Sequence, residues 1–316
     1  MQRLGLHLTD RCQLDCDHCL RDPGQTARDL PLGLVRRVLA EARDTFAIAL
    51  VSFTGGEPTL HPEFLAVVDA AAEAGFSWDM VSNGRRFGRL VGELASVPRR
   101  RESLRSVTFS LDGATEATHD AIRGQGSYRE VLGAVAAAAA SGVPFGVQAA
   151  IHARNELELE QLGLLAAQLG AKHVSFAWTQ PTGTPLDADL QLTEAAWEGA
   201  LQRIRSLSAA LSIDVLAAEG WPTDGAALGC SPLRLETLHI DVEGRLTLCC
   251  LHAGVPGEPG SDVAGSVAEL GLLGAHRRLL DLVHRQQVAR LEAVAGGVLR
   301  RPFGRFGCNW CLGALG

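Results

Sequence analysis

Six times in the first 212 residues a short apolar run is followed by a polar or glycine-bearing turn and then by a stretch with helical spacing. Leu4, Leu6 and Leu8 alternate in the first run. The next strands are read at 47–53, 76–81, 107–111, 145–151 and 173–178. The first helix is expected to start at Asp29 as N-cap, with Pro31 in its first turn and Val35, Val38, Leu39 and Ala42 on one face. Later helices are read around 64–71, 128–140 and 157–169, and from Thr193 onward. Repeated strand–helix units dictate a parallel sheet, because each helix must carry the chain back before the next strand begins. Six units fall short of the eight of a closed barrel, so the expected fold is α/β, a partial (β/α)6 TIM-like barrel. The polar turns follow strand C-termini, the edge on which such folds build their sites.

After residue 212 the pattern changes. Residues 235–242 and 245–250 read as a hairpin turning at Glu243-Gly244, a Gly/Pro-rich loop follows, and helical spacing runs to about residue 294. The expectation is a barrel over 1–212 and a small α+β domain over 213–316, with too little sheet to stand without a staple.

That staple is suggested by cysteine. Of eight cysteines in 316 residues, five lie after residue 212: Cys230, Cys249, Cys250, Cys308 and Cys311. Residues 1–11 carry charges and lack a signal-peptide pattern, and no apolar stretch approaches the roughly 20 residues of a membrane span. The expected location is cytoplasmic, with no membrane partner, where thiols stay reduced and cysteines serve as metal ligands or catalytic groups. The net charge of -7, without a basic stripe, argues against nucleic acid.

The other three cysteines are Cys12, Cys16 and Cys19, spaced C-x3-C-x2-C after the first strand. Three thiolates leave a closed zinc site or a four-thiolate cluster one ligand short. A [4Fe–4S] cluster held this way keeps one iron open for chemistry. A zinc site completed by His7 or His18 is the alternative.

With Gly55-Gly56-Glu57-Pro58 after the second strand, this triplet resembles the radical S-adenosylmethionine (SAM) enzymes. Ser82-Asn83-Gly84, Ser110-Leu111-Asp112-Gly113 and His119-Asp120-Ala121-Ile122-Arg123-Gly124 add to the likeness. The resemblance implies that the open iron chelates SAM and that Gly55 and Gly56 let backbone approach it. It places Glu57, or the backbone around it, at the SAM ammonium, and Ser110 and Asp112 at the ribose. Gln180-Pro181-Thr182-Gly183 is implied near the adenine. An external one-electron donor of the flavodoxin or ferredoxin type is implied as partner.

The late cysteines suit zinc or iron–sulfur equally by donor type. Their order resembles the twitch domain, a shortened SPASM module that holds one auxiliary [4Fe–4S] cluster. The resemblance implies two [4Fe–4S] clusters, with Cys230, one of Cys249 and Cys250, Cys308 and Cys311 on the second. One cysteine of the doublet is then left over. Gly244-x4-Cys spacing favours Cys249 as ligand. Strand alternation favours Cys250, which would share the apolar face of Leu246 and Leu248. Length, spacing and doublet together resemble radical SAM epimerases of neomycin biosynthesis. That resemblance implies an aminoglycoside substrate, Cys250 as ligand and Cys249 as the thiol that returns a hydrogen atom after a 5′-deoxyadenosyl radical removes one. A buried inert cysteine is the plain alternative.

Trp178, Trp221 and Trp310 are candidates for sugar stacking or core packing, and Asp187, Asp189, Glu219 and Asp224 for pairing with ammonium groups. Competing functions are a radical SAM dehydrogenase of an amino sugar or cyclitol, a RiPP peptide maturase and a zinc-stapled binding protein. Only eleven residues precede Cys12, which is expected to leave no room for a fused peptide-recognition domain.

Overall fold

The computed structural model describes residues 2–19, 26–179, 188–217, 230–250, 262–297 and 308. In chain order the elements begin β1 (Arg3–Thr9), α1 (Leu32–Phe46), β2 (Leu50–Gly55), α2 (Phe64–Glu73), β3 (Ser77–Ser82), α3 (Phe87–Ala95) and α4 (Pro98–Ser103). They continue with β4 (Leu104–Ser110), α5 (Glu116–Arg123), α6 (Ser127–Ala140), β5 (Phe145–Ile151), α7 (Leu159–Gln168), β6 (His173–Trp178) and α8 (Glu194–Ala210). The last are β7 (Asp214–Ala217), β8 (Thr237–Ile240), β9 (Arg245–Thr247), β10 (Val263–Ser266) and α9 (Val267–Ala295). The alternation of strand and helix is the expected α/β pattern.

The chain forms two compact units. One comprises Met1–Arg11, Leu20–Trp78 and Glu219–Gly316, the other Cys12–Cys19 and Asp79–Ala218. In the first unit β1 runs parallel to β2 on one side and to β8 on the other, and β8, β9 and β10 continue antiparallel. The late hairpin thus joins the sheet of the first strand. Leu4, Leu6 and Leu8 of β1 are fully buried with Val35, Val38, Leu39 and Ala42 of α1. Phe53 and Trp78 close this core, ring centroids 5.7 Å apart.

In the second unit β4, β5, β6 and β7 are consecutive parallel neighbours. Phe109 packs edge-on against Phe87 at 4.9 Å, and Trp178 against Trp197 at 5.3 Å. Trp178 is therefore a core residue. Along β4, Val107 and Phe109 are buried while Thr108 and Ser110 remain half-buried, so one face is apolar and the other polar.

Two local expectations are corrected. Asp29 does not cap α1. Its carboxylate accepts from the Thr9 hydroxyl at 2.6 Å and pairs with Arg11 at 2.9 Å, so the helix starts after Pro31 with no side-chain cap. Strand β9 ends at Thr247, so strand alternation does not reach Cys249 and Cys250 and assigns them no faces. No helix among the described residues is long and apolar enough to cross a membrane.

Candidate active site

The cysteine loop leaves β1 at Thr9, and the turn after β2 is pinned to its stem. The N–H of Gly56 donates to the Thr9 carbonyl and that of Glu57 to the Arg11 carbonyl, each at 2.7 Å. A Cβ on Gly55 would lie 2.4 Å from the Thr9 oxygen, and one on Gly56 would lie 2.3 Å from the Arg11 oxygen. Gly55 also has φ of 136°, which side chains disfavour. The two glycines therefore let the turn lie against the stem of the loop, Gly55 against Thr9 and Gly56 against Arg11. The Glu57 side chain is 1% exposed and accepts from the Thr59 hydroxyl at 2.8 Å and backbone N–H at 3.3 Å. It caps the 3₁₀ turn Pro58–Leu60.

In the second unit, Cys12, Cys16 and Cys19 are half-buried thiols. Asn83 Nδ2 donates to Cys12 Sγ at 3.7 Å, and Arg123 Nη1 to Cys16 Sγ at 3.9 Å. The Cys19 N–H donates to the Cys16 carbonyl at 2.9 Å, folding the loop back on itself. Burial pushes the Cys16 thiol up to about 12; Arg123 opposes this, while the Asp112 carboxylate, Cys19 and Cys12 add to it. Coordinated iron removes such a proton outright. Among the described residues no three Cys, His, Asp or Glu side chains converge on one point as ligands of a single ion do. A four-iron cluster makes no such demand, since each thiolate binds a different iron. Three thiols in electrostatic reach of one another, two with hydrogen-bond donors on sulfur, fit such a cluster.

Asp112 organises the surroundings. It is fully buried, and Oδ2 accepts from His18 Nε2 at 2.7 Å and from Arg123 Nε at 2.5 Å. Oδ1 accepts from the Ala150 N–H at 2.8 Å. Burial alone would raise this carboxyl, but Arg123 and His18 hold it well below the ordinary range. The carboxylate expected at the ribose is thus turned onto His18, which lies between Cys16 and Cys19, and onto Arg123. Ser110, at the end of β4, is half-buried and paired in register with Gln148.

The His119–Gly124 motif has a structural reading residue by residue. His119 Nδ1 accepts from the Asp112 N–H at 3.1 Å. Asp120 accepts from the N–H groups of Gly126 and Tyr128 at 2.6 and 2.8 Å, fixing the start of α6. Asn155 donates to the carbonyl of Asp112 at 2.7 Å. Asn83, Arg123 and Asn155 are not singled out from sequence as site residues, and His18 is named there only as an alternative zinc ligand. For Asn83 and Arg123 the signal is motif membership alone.

Of the late cysteines, Cys230, Cys249, Cys250 and Cys308 are half-buried thiols in the first unit, and Cys311 lies outside the described residues. The Thr247 hydroxyl donates to the Cys249 carbonyl at 3.4 Å. Gln180–Gly183, Asp187, Glu219, Trp221, Asp224 and Trp310 also lie outside the described residues.

Residues 6–166 match the radical SAM superfamily. Mycofactocin maturase MftC of Mycobacterium tuberculosis is 34% identical over 200 residues, covering 60% of this chain and 48% of that protein. PqqA peptide cyclase of Streptomyces rochei is 30% identical over 213 residues, covering 63% of this chain and 55% of that protein. The chain thus spans about half the length of these curated relatives. The fold is that of native anSMEcpe solved with bound AdoMet, at a TM-score of 0.70 and 11% identity over 91% of this chain and 84% of that one. Streptococcus suis SuiB bound to precursor peptide SuiA matches at 0.67 and 15% identity, over 81% of this chain and 61% of that one. A matched region covering half the sequence, with the three-cysteine loop and the Gly-Gly-Glu-Pro turn inside it, leads to one conclusion: the chain belongs to the radical SAM superfamily.

Proposed function

We propose that this radical SAM enzyme modifies a peptide. The observation that carries the reading is the 213-residue likeness to a peptide cyclase. A feature of the first unit adds support. Ser52, His239 and Thr247 lie on one polar sheet face, with Ser52 and His239 both in register with Gly5, and Thr247 in register with His239. Gly5 makes room for the His239 ring, since a Cβ there would lie 2.7 Å from Nδ1. Burial lowers His239 to about 3, so the ring is neutral and this face carries no charge at His239, Ser52 or Thr247. Such a face suits amides better than the ammonium groups of an aminoglycoside.

When bound, the cluster and SAM supply one-electron cleavage of SAM and hydrogen-atom abstraction from a C–H bond. The residues of this chain would hold that pair. Cys12, Cys16 and Cys19 would ligate the iron, and the backbone at Gly55–Glu57 would meet the amino acid part of SAM. Ser110 is a candidate for the ribose. Asp112 fixes His18 and Arg123 around the loop. An external one-electron donor would feed the cluster. In the appended region 213–316, Cys230, Cys250, Cys308 and Cys311 would ligate an auxiliary [4Fe–4S] cluster in a twitch-like arrangement.

The second reading is epimerisation of an aminoglycoside, favoured by the Cys249–Cys250 doublet. Cys249 Sγ–H would give its hydrogen atom to a substrate carbon. The S–H bond breaks, a C–H bond forms on the opposite face, and an electron from the external donor with a proton from solvent restores the thiol.

Anaerobic turnover with SAM, reductant and either a panel of synthetic peptides or an aminoglycoside panel in deuterated water tests both. A mass change confined to a peptide supports the first reading. One deuteron at an inverted sugar carbon replaces it with the second.

A further inference from the structure

Three observations converge on Arg123. Its guanidinium is 11% exposed and ends 3.9 Å from Cys16 Sγ. Its Nε is held at 2.5 Å by Asp112, which is fully buried and fixed from the other side by the Ala150 N–H. It closes α5, where the preceding Ile122 carbonyl accepts from the Asp17 N–H at 3.1 Å, so the helix end and the cysteine loop are joined by backbone. The cation therefore has little freedom to swing away from the sulfur. Asn83 makes the matching but uncharged contact on Cys12.

We propose that Arg123 is a positioning residue that raises the reduction potential of the cluster held by Cys12, Cys16 and Cys19. One electron from the external donor makes the cluster one unit more negative, with no bond broken in that step. A fixed positive charge and a hydrogen bond on sulfur stabilise the reduced form more than the oxidised form, and such contacts are among the determinants of cluster potential. Screening is weak because the contact is largely buried. Asp112 holds the guanidinium against Cys16; its own negative charge acts on Cys16 in the opposite sense, and more weakly than Arg123 does. The assignment concerns the initiating cluster and holds for either substrate class.

The test is an anaerobic, dye-mediated redox titration of the reconstituted full chain, followed by EPR. The N-terminal cluster is identified as the signal that changes when SAM is added. Arg123→Gln is expected to shift its midpoint to a more negative potential, Arg123→Lys to restore most of the wild-type value, and Asn83→Ala to shift it less than Arg123→Gln. A wild-type midpoint in Arg123→Gln overturns the proposal. Should Arg123→Gln load no iron, Arg123→Lys decides. Loading with a midpoint close to wild type supports the role of charge. Failure to load shows that the shape of the arginine is what the loop needs, and overturns it.

Discussion

His18 and Asp112 meet at 2.7 Å although 94 residues separate them. Asp112 is fully buried, and the same oxygen also receives Arg123. Removing one partner of a buried ion pair leaves the other charge uncompensated, which destabilises by about 3–5 kcal/mol. Asp112→Ala should therefore lower the stability of the apo chain by that order, read as a fall in the urea midpoint. A change within about 0.5 kcal/mol, the range of ordinary surface substitutions, would contradict the assigned role.

The pH dependence follows from two imidazoles beside this carboxylate. Burial lowers His119 and His152 to about 4 each, so both stay neutral in the folded chain while the unfolded chain protonates them from about 6.5 downward. The unfolded state binds more protons between those values. Stability is then fully present above about pH 6.5 and is lost as pH falls toward 4. Asp112 behaves differently, since its lowered value keeps its contribution intact until pH drops below the ordinary carboxylate range. Urea midpoints at pH 7.5, 6 and 5 should decline in that order, and a flat series would contradict the neutral assignment.

Gly56→Ala probes the stem of the cysteine loop. The new methyl group would meet Arg11 backbone, its oxygen at 2.3 Å and its carbon at 2.8 Å, with no flexible side chain to yield. Overpacking of this kind costs about 1–3 kcal/mol. Reconstituted Gly56→Ala should hold less iron per chain than wild type and melt at lower temperature. Normal iron content and melting would show that the turn does not rest on the stem.

Sequence periodicity located the sheet well where packing is simplest. Phe145–Ile151 and His173–Trp178 match β5 and β6 to the residue, because buried apolar runs bounded by turns leave little ambiguity. The four-residue β7 and β10 were missed, since strands that short owe their existence to a neighbour's backbone. Asp29 was misread because its partners Thr9 and Arg11 are distant in sequence. The cysteine triplet and the Gly-Gly-Glu-Pro turn were legible as motifs. The buried cluster of His18, Asp112, Arg123 and Asn155 was not, because side-chain pairing across 11 to 94 residues leaves no periodic trace.

The doublet separates the roles assigned to its two thiols. Cys250→Ala is expected to lower iron from about eight to about four per chain, as cluster arithmetic requires when the second cluster is lost. Cys249→Ala should keep the full complement. Equal iron in both variants would contradict Cys250 as a ligand, and loss in Cys249→Ala alone would exchange the two assignments.

The most direct measurement is release of 5′-deoxyadenosine by the reconstituted chain with SAM and a strong reductant under anaerobic conditions. Wild type should release it, and Cys16→Ala, lacking one of the three thiols of the loop, should release none. A wild-type chain that carries iron and sulfide yet releases none, or a Cys16→Ala chain that releases it at the wild-type rate, would contradict the account.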